Sequence, residues 1–146
     1  MFTFATDYFI LVSVASAGVI QIAATSGRLD GLLIFKRPWA ARAFGLTLVV
    51  AAFVWFFSVT DRNVDDTSGG IDANIQALFF FLGTMAGFGV TVALSSLVNL
   101  RMNRGAPSPE AGLDALRDTN YVRALALSLA YWWRNWRTQT KRYFFG

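Results

Sequence analysis

The sequence predicts an all-α membrane protein with three transmembrane helices and an amphipathic C-terminal helix. Two observations predict this fold class: three long runs without a charged residue, and connecting segments whose charge alternates in sign. The runs cover residues 8–27, 43–60 and 73–100 and are 20, 18 and 28 residues long. A run of about 18 or more apolar residues can cross the ~30 Å hydrocarbon core as a helix. The run must be helical there because lipid offers its backbone no hydrogen-bond partners.

Composition agrees with this fold class and narrows the chemistry. Hydrophobic residues make up 55% of the 146-residue chain and charged residues only 15%. A soluble domain of this size does not need 28 consecutive uncharged residues. The chain contains no cysteine and no histidine, which excludes disulfides and thiol chemistry and removes the usual ligands of zinc and haem. We therefore expect no cofactor and no catalytic metal.

The distribution of basic residues predicts the orientation in the membrane. Segment 28–42 holds four Lys or Arg residues, segment 61–72 holds one, and segment 101–146 holds eight. Lys and Arg collect on the cytoplasmic side of membrane spans. We expect the N-terminus and loop 61–72 outside and the C-terminal tail in the cytoplasm, in a prokaryotic cytoplasmic membrane.

The chain divides into a three-span domain, residues 1–104, and a basic, Trp-rich tail, residues 105–146. We expect a tail helix over about residues 109–137, with Asn120 as a point where it can break. Its apolar residues recur at three- and four-residue spacing, at Val122, Leu125, Leu129, Trp132, Trp133 and Trp136. Its basic residues Arg123, Arg134, Arg137 and Lys141 share a different face. This pattern predicts a helix on the membrane surface or on a neighbouring subunit. Arg interleaved with Trp can also bind nucleic acid, but beside three spans we expect no nucleic-acid partner.

Two spans carry stripes of small and polar residues, which predict helix packing. The third span has Gly83, Gly87, Thr91, Ser95 and Asn99 at four-residue spacing, and the first span has Ser13, Ala17, Gln21 and Thr25. Small residues at this spacing let two helices approach closely. The stripes either face each other within the chain or face partner subunits, and the sequence does not choose. We expect Gln21 and Asn99 to form hydrogen bonds between helices.

Two weaker patterns have simpler alternative explanations. Asp61, Asn63, Asp65 and Asp72 have the spacing of calcium-loop ligands, but the loop lacks the glycine and the final glutamate of such a site. A solvated turn or a docking patch for an extracytoplasmic partner fits this loop better. Aromatic residues crowd the outer halves of the second and third spans and could hold a quinone, a pigment or a lipid tail. An aromatic belt with ordinary packing is the favoured explanation.

No reactive centre is visible in the sequence, and the three runs contain no charged residue. We therefore expect a non-catalytic accessory subunit of a larger membrane complex, whose partners are membrane lipids and other membrane subunits. One alternative is a homo-oligomeric, holin-like pore lined by Thr91, Ser95 and Asn99. Another is an enzyme acting on lipid at the inner interface. It would bind phosphate through Arg101, Arg104 and Arg117 and use Asp114 and Asp118 as an acid pair.

Overall fold

The computed structural model describes residues 4–58, 72–100 and 112–145, and the side chains of residues 112–114, 134, 135 and 137–145 lie outside the description. Within these ranges the chain is helical and has no strand. Four α-helices follow one another: α1 (Phe4–Ser26), α2 (Pro38–Phe57), α3 (Ala73–Val98) and α4 (Tyr121–Phe145). Two 3₁₀ segments, Asp30–Leu32 and Gly112–Arg117, precede α2 and α4 respectively. The first three helices are long and apolar enough to cross a membrane, which confirms the prediction of three long apolar helices.

The first two spans begin earlier in the chain than the uncharged runs do. Helix α1 begins at Phe4, so Asp7 lies in its first turn, where it is 5% exposed. A carboxylate there meets the positive end of the helix dipole. Helix α2 begins at Pro38, a residue suited to the first helical position, and so includes Arg42. The sequence predicts spans without a charged residue. Helices α1 and α2 nevertheless contain Asp7 and Arg42 near their starts.

The tail is not one continuous helix from residue 109. The 3₁₀ segment Gly112–Arg117 is followed by a break at residues 118–120, and α4 then runs from Tyr121 to Phe145. Asn120 is the residue at the break, and its Oδ1 accepts a hydrogen bond from the Arg123 backbone N–H at 2.9 Å. This bond caps the start of α4. The predicted helix start at residue 109 and the domain boundary at residues 104 and 105 lie outside the described residues.

Helix α1 lies in the middle of a three-helix layer. It packs extensively against both α2 and α3, which make almost no contact with each other. The α1 residues that contact α2, such as Leu11 and Gly18, lie on the side opposite to Ser13 and Ser16, which contact α3. Helices α1 and α3 run in the same direction and α2 runs against them. The layer therefore has two open faces, each with α1 at the bottom and α2 and α3 at the sides.

Glycines at both α1 contacts allow the backbones to approach closely. A Cβ added to Gly18 would lie 2.5 Å from the Gly45 carbonyl oxygen, and one added to Gly45 would lie 2.6 Å from the Gly18 oxygen. On α3, a Cβ on Gly83 would lie 2.9 Å from Val12 Cβ, and one on Gly87 would overlap the Ser13 carbonyl oxygen. All four approaches are too short for an extra carbon, so glycine is needed at each crossing.

Large apolar side chains cover the outer surfaces of α2 and α3. The exposed ones include Leu46, Val50, Val54, Leu78, Phe81 and Leu97. A water-soluble monomer rarely exposes so much continuous apolar surface. These surfaces suit a lipid environment, as expected for a membrane-embedded protein.

Candidate functional site

The most polar part of the described structure lies at one end of the helix layer, where α1 ends and α2 begins. We call it the basic end, because Arg28, Lys36, Arg37 and Arg42 lie there. The segment from residue 29 to residue 34 turns back into the layer at this end instead of passing over it. Its Gly31, Leu32 and Leu33 are all buried. The side chains that hold this segment form what we call the polar junction: Gln21, Asn99, Thr119 and Asn120.

Gln21 binds the inserted segment with both ends of its amide. Its Nε2 donates to the Leu32 carbonyl oxygen at 3.0 Å, and its Oε1 accepts from the Ile34 backbone N–H at 3.0 Å. The side chain is completely buried. Removing it would leave a buried donor and a buried acceptor without partners, which costs about 1–3 kcal/mol for each group.

Asn99 holds the same segment from α3. Its Nδ2 donates to the Leu33 carbonyl oxygen at 2.8 Å and lies at longer range, 3.4 and 3.5 Å, from the Asp30 and Gly31 oxygens. The sequence predicts that Gln21 and Asn99 form hydrogen bonds between helices. In the structure they instead bind the backbone of the connecting segment. The difference arises because this segment folds into the layer and presents its own polar groups to both side chains.

The stretch from the 3₁₀ segment through the break before α4 closes the polar junction. Gly31 lies so close to it that an added Cβ would overlap the Thr119 carbonyl oxygen and lie 2.9 Å from that of Leu116. The fully buried Thr119 hydroxyl donates to the Ala115 carbonyl oxygen at 2.6 Å. Asn120 Nδ2 lies 3.5 Å from the Asn99 carbonyl oxygen. Around these groups packs an apolar cluster that includes Ala24, Leu32, Leu33, Ala41, Ala115, Leu116 and Ala124. The start of α4 is therefore attached firmly to the basic end.

Two features next to the junction fix the ends of α1 and α2. Arg42 Nε donates to Thr25 Oγ1 at 2.9 Å, which ties α2 to the last turn of α1. Arg28 follows α1 with a positive φ of 53°, and the Leu29 N–H binds the Ala24 carbonyl oxygen at 2.9 Å. Helices commonly end with a residue in the left-handed conformation followed by this hydrogen bond. That residue is usually glycine, whereas here it is Arg28.

The small-polar stripe of α3 faces α1 of the same chain. Gly83 and Gly87 contact α1 directly, while Thr91 and Ser95 are no more than 1% exposed. The Thr91 hydroxyl donates to the Gly87 carbonyl oxygen at 2.8 Å, and the Ser95 hydroxyl donates to that of Val92 at 3.2 Å. On α1, Ser13 and Ala17 lie against Gly87. Of the two arrangements that the sequence left open, the structure has the one within the chain.

Each open face of the layer carries an apolar groove. The Ser13 groove has a volume of about 390 Å³, and its lining includes Ser13 of α1, Phe44 of α2, Ala86 and Leu94 of α3, and Ile34 of the segment between α1 and α2. The aromatic groove on the opposite face measures about 700 Å³, and its lining includes Tyr8, Phe53, Phe56, Phe57 and Phe80. The second groove brings together several of the aromatic residues that the sequence placed in the outer halves of the spans.

Helix α4 is attached at its start and exposes apolar side chains beyond it. Ala124 is buried, and the Tyr121 ring lies 5.7 Å from that of Phe88 on α3. The predicted apolar residues Val122, Leu125, Leu129, Trp132, Trp133 and Trp136 are all exposed. The rings of Trp132 and Trp136 are stacked, with centroids 6.1 Å apart. Arg123 is half-buried, and the side chains of Arg134, Arg137 and Lys141 lie outside the description.

Other candidate residues lie outside the described range or have local roles. Asp61, Asn63 and Asp65 of the calcium pattern are not described, while Asp72 Oδ1 accepts a hydrogen bond from the Asn74 N–H at 2.9 Å and caps α3. Arg101 and Arg104 and the side chain of Asp114 are likewise outside the description, and Arg117 and Asp118 are exposed. Among the described residues, no group of three or more Asp or Glu side chains could hold a metal ion.

Comparison of the chain with protein-family models, curated proteins and solved structures found no match. The groups of the polar junction are amides, hydroxyls and backbone carbonyls, which neither titrate near neutral pH nor act as nucleophiles without a base. The arrangement is suited to holding the connecting segment and the start of α4 in place.

Proposed function

We propose that the protein is a non-catalytic accessory subunit of a larger membrane assembly and that it contacts its partner through α4. The observation that carries this proposal is the contrast between the two parts of α4. Its start is fixed by Asn120, Ala124 and the Phe88–Tyr121 contact, whereas its apolar face is uncovered. A fixed helix with an uncovered apolar face positions a docking surface.

The packing of the three-helix layer supports this assignment, because the small-residue stripe of α3 is not available to a partner. The small-residue face of α3 is occupied by α1, so it closes the chain's own unit. The exposed residues of α4 include three tryptophans, a residue type enriched in interface cores. The sequence adds Arg134, Arg137 and Lys141 on another face, where they would meet anionic headgroups while the tryptophans meet the partner at the membrane surface.

The proposal includes the orientation with the basic end in the cytoplasm and loop 61–72 outside. Its support is the count of Lys and Arg residues, which favours the segments at the basic end. The chain lacks cysteine, so single cysteines at Asp66 and Lys36 can be labelled separately in intact cells. A membrane-impermeant maleimide should label the first and spare the second. The reverse result would overturn the orientation.

The pore alternative receives less support. Its lining residues Thr91, Ser95 and Asn99 are each 5% exposed or less, and all three make hydrogen bonds within the chain. Side chains buried in this way do not face a shared water-filled channel. The enzyme alternative rests on residues that are mostly undescribed, and nothing in the polar junction supplies it with a base.

The experiment that tests the subunit proposal is extraction from the native membrane in a mild detergent, followed by sizing of the intact particle. Wild-type protein should co-migrate with larger, unrelated polypeptides in a fixed ratio. The variant Trp132→Ala/Trp136→Ala should release the protein, whereas Trp39→Ala should not, because Trp39 is equally exposed but lies on α2. A wild-type particle built only from copies of this chain would refute the subunit proposal and favour the pore.

A further inference from the structure

The Ser13 groove presents almost no polar surface to an occupant. Ser13 and Thr91 carry the polar side chains of its lining, and both hydroxyls are already used: Ser13 Oγ donates to the Phe9 carbonyl oxygen at 2.7 Å and Thr91 Oγ1 to that of Gly87 at 2.8 Å. The remaining lining residues are apolar or glycine. A polar solute would lose its hydration here without gaining partners. A hydrocarbon chain has no hydrogen bonds to water that it would lose on entering the groove.

The length of the groove fits the tail of one membrane leaflet. On α3 the lining runs from Ala86 to Leu94, which corresponds to about 12 Å at the rise of an α-helix. One leaflet contributes about half of the ~30 Å hydrocarbon core. The lining reaches Ile34 at the basic end, so a chain in the groove would extend from that end toward the middle of the layer.

Positive charge lies where the groove meets the basic end. Ile34 lines the groove, and the neighbouring Phe35 packs on Phe44, another lining residue, with ring centroids 5.1 Å apart. The next two residues, Lys36 and Arg37, are exposed. Arg37 also precedes the first turn of α2, where no side chain caps the free N–H groups. A helix N-terminus attracts anions through these N–H groups and its dipole.

We propose that the Ser13 groove binds an anionic phospholipid, with one acyl chain in the groove and the phosphate beside Lys36, Arg37 and the N-terminus of α2. The apolar lining selects a hydrocarbon chain, and the two basic residues select a negatively charged headgroup. The ligand is a lipid and not free phosphate, because the groove contributes contact only to the tail. The site lies on the face of the layer opposite the aromatic groove, and it does not depend on the role proposed for α4.

Lipid selectivity can be measured on the purified full-length protein by native mass spectrometry. Dioleoylphosphatidylglycerol and dioleoylphosphatidylcholine have the same tails and differ in headgroup charge, so comparing them isolates the charge effect. Wild-type protein should retain one phosphatidylglycerol at least fivefold more strongly than phosphatidylcholine. Each basic residue near an anionic headgroup is worth about 1 kcal/mol, or about a factor of five. Inorganic phosphate should not displace the bound lipid.

Variants test the headgroup and the tail separately. Lys36→Gln and Arg37→Gln should each lower phosphatidylglycerol retention about fivefold, whereas Arg28→Gln, an exposed residue at the same end that borders neither groove, should not. Ala86→Phe fills the Ser13 groove and should abolish retention of the lipid. Thr84→Phe places the same ring in the aromatic groove and is the matched control.

The surface substitutions at Lys36 and Arg37 keep the test decisive if Ala86→Phe fails to fold. Equal retention of the two lipids would overturn the proposal, as would equal loss of lipid in Lys36→Gln and Arg28→Gln. Displacement of the lipid by inorganic phosphate would show that the tail contributes nothing and would overturn it too. So would a wild-type protein that carries a second copy of the chain in place of a lipid.

Discussion

Gly87 and Gly89 lie two residues apart on α3 and allow a matched test of the helix layer. A Cβ on Gly87 would overlap the Ser13 carbonyl oxygen and lie 3.1 Å from Ser16 Cβ, whereas a Cβ on Gly89 has no atom within 4 Å. A backbone oxygen cannot rotate away. Gly87→Ala must therefore push α1 and α3 apart, by about 1 Å. A gap of that size costs the facing atoms about a quarter to a half of their contact energy.

The size of the effect follows from two opposing contributions. Overpacking costs about 1–3 kcal/mol, and replacing glycine by alanine in a helix returns at most about 1 kcal/mol. We expect Gly87→Ala to lower the free energy of unfolding by about 2 kcal/mol and Gly89→Ala to leave it unchanged or raise it by up to about 1 kcal/mol. Reversible unfolding of both variants in mixed detergent micelles measures the difference. Equal stability of the two variants would mean that Gly87 does not face α1.

Three further predictions concern the basic end. Gln21→Leu should lower the free energy of unfolding by about 3 kcal/mol, because the Leu32 oxygen and the Ile34 N–H lose their partners; unfolding titration measures this loss. Asn120→Ala should cost about 1 kcal/mol through loss of the cap and should speed hydrogen exchange at the start of α4. Arg28→Gly should raise the free energy of unfolding by up to about 1 kcal/mol, because the relief of left-handed strain exceeds the entropic cost of ordering a glycine.

Each of these predictions has a result that contradicts it. Wild-type stability of Gln21→Leu would mean that the connecting segment does not insert into the layer. Faster hydrogen exchange throughout α3 in Asn120→Ala would show that the Asn120 cap stabilises α3 as well as α4. A loss of stability in Arg28→Gly would place the helix end elsewhere, since the substitution removes no hydrogen bond seen at Arg28.

The three long apolar helices could be predicted from the sequence, because a soluble domain of this size does not need charge-free runs of this length. The charge-free runs place the starts of α1 and α2 too late, because Asp7 and Arg42 interrupt the runs but lie within the helices. A charged residue near a helix end does not prevent it from being helical. The arrangement with α1 in the middle could not be derived, because all three runs are similarly apolar and none signals a central position.

For the polar residues, too, the sequence predicts one part of the arrangement and not the rest. Their spacing predicted a packed stripe on α3, but spacing alone could not distinguish α1 from a partner as the facing surface. The sequence predicts hydrogen bonds between helices from Gln21 and Asn99, yet their partners are backbone groups of residues 30–34. That segment reads as an ordinary loop in the sequence, and only its insertion into the layer explains why the two amides are needed. The contact between Gly18 and Gly45 is not predicted by spacing, because the residues four positions before and after Gly18 are Val14 and Ile22, which are not small.

The most direct test of the subunit role is photo-crosslinking in the native membrane from a single position on α4. A photoreactive residue in place of Trp132 probes the uncovered face, and the same residue in place of Trp39 controls for exposure, since both tryptophans are more than 60% exposed. We expect one discrete adduct with a larger, unrelated polypeptide from position 132 and none from position 39. Adducts from position 132 that contain only lipid, or only a second copy of this chain, would contradict the subunit role.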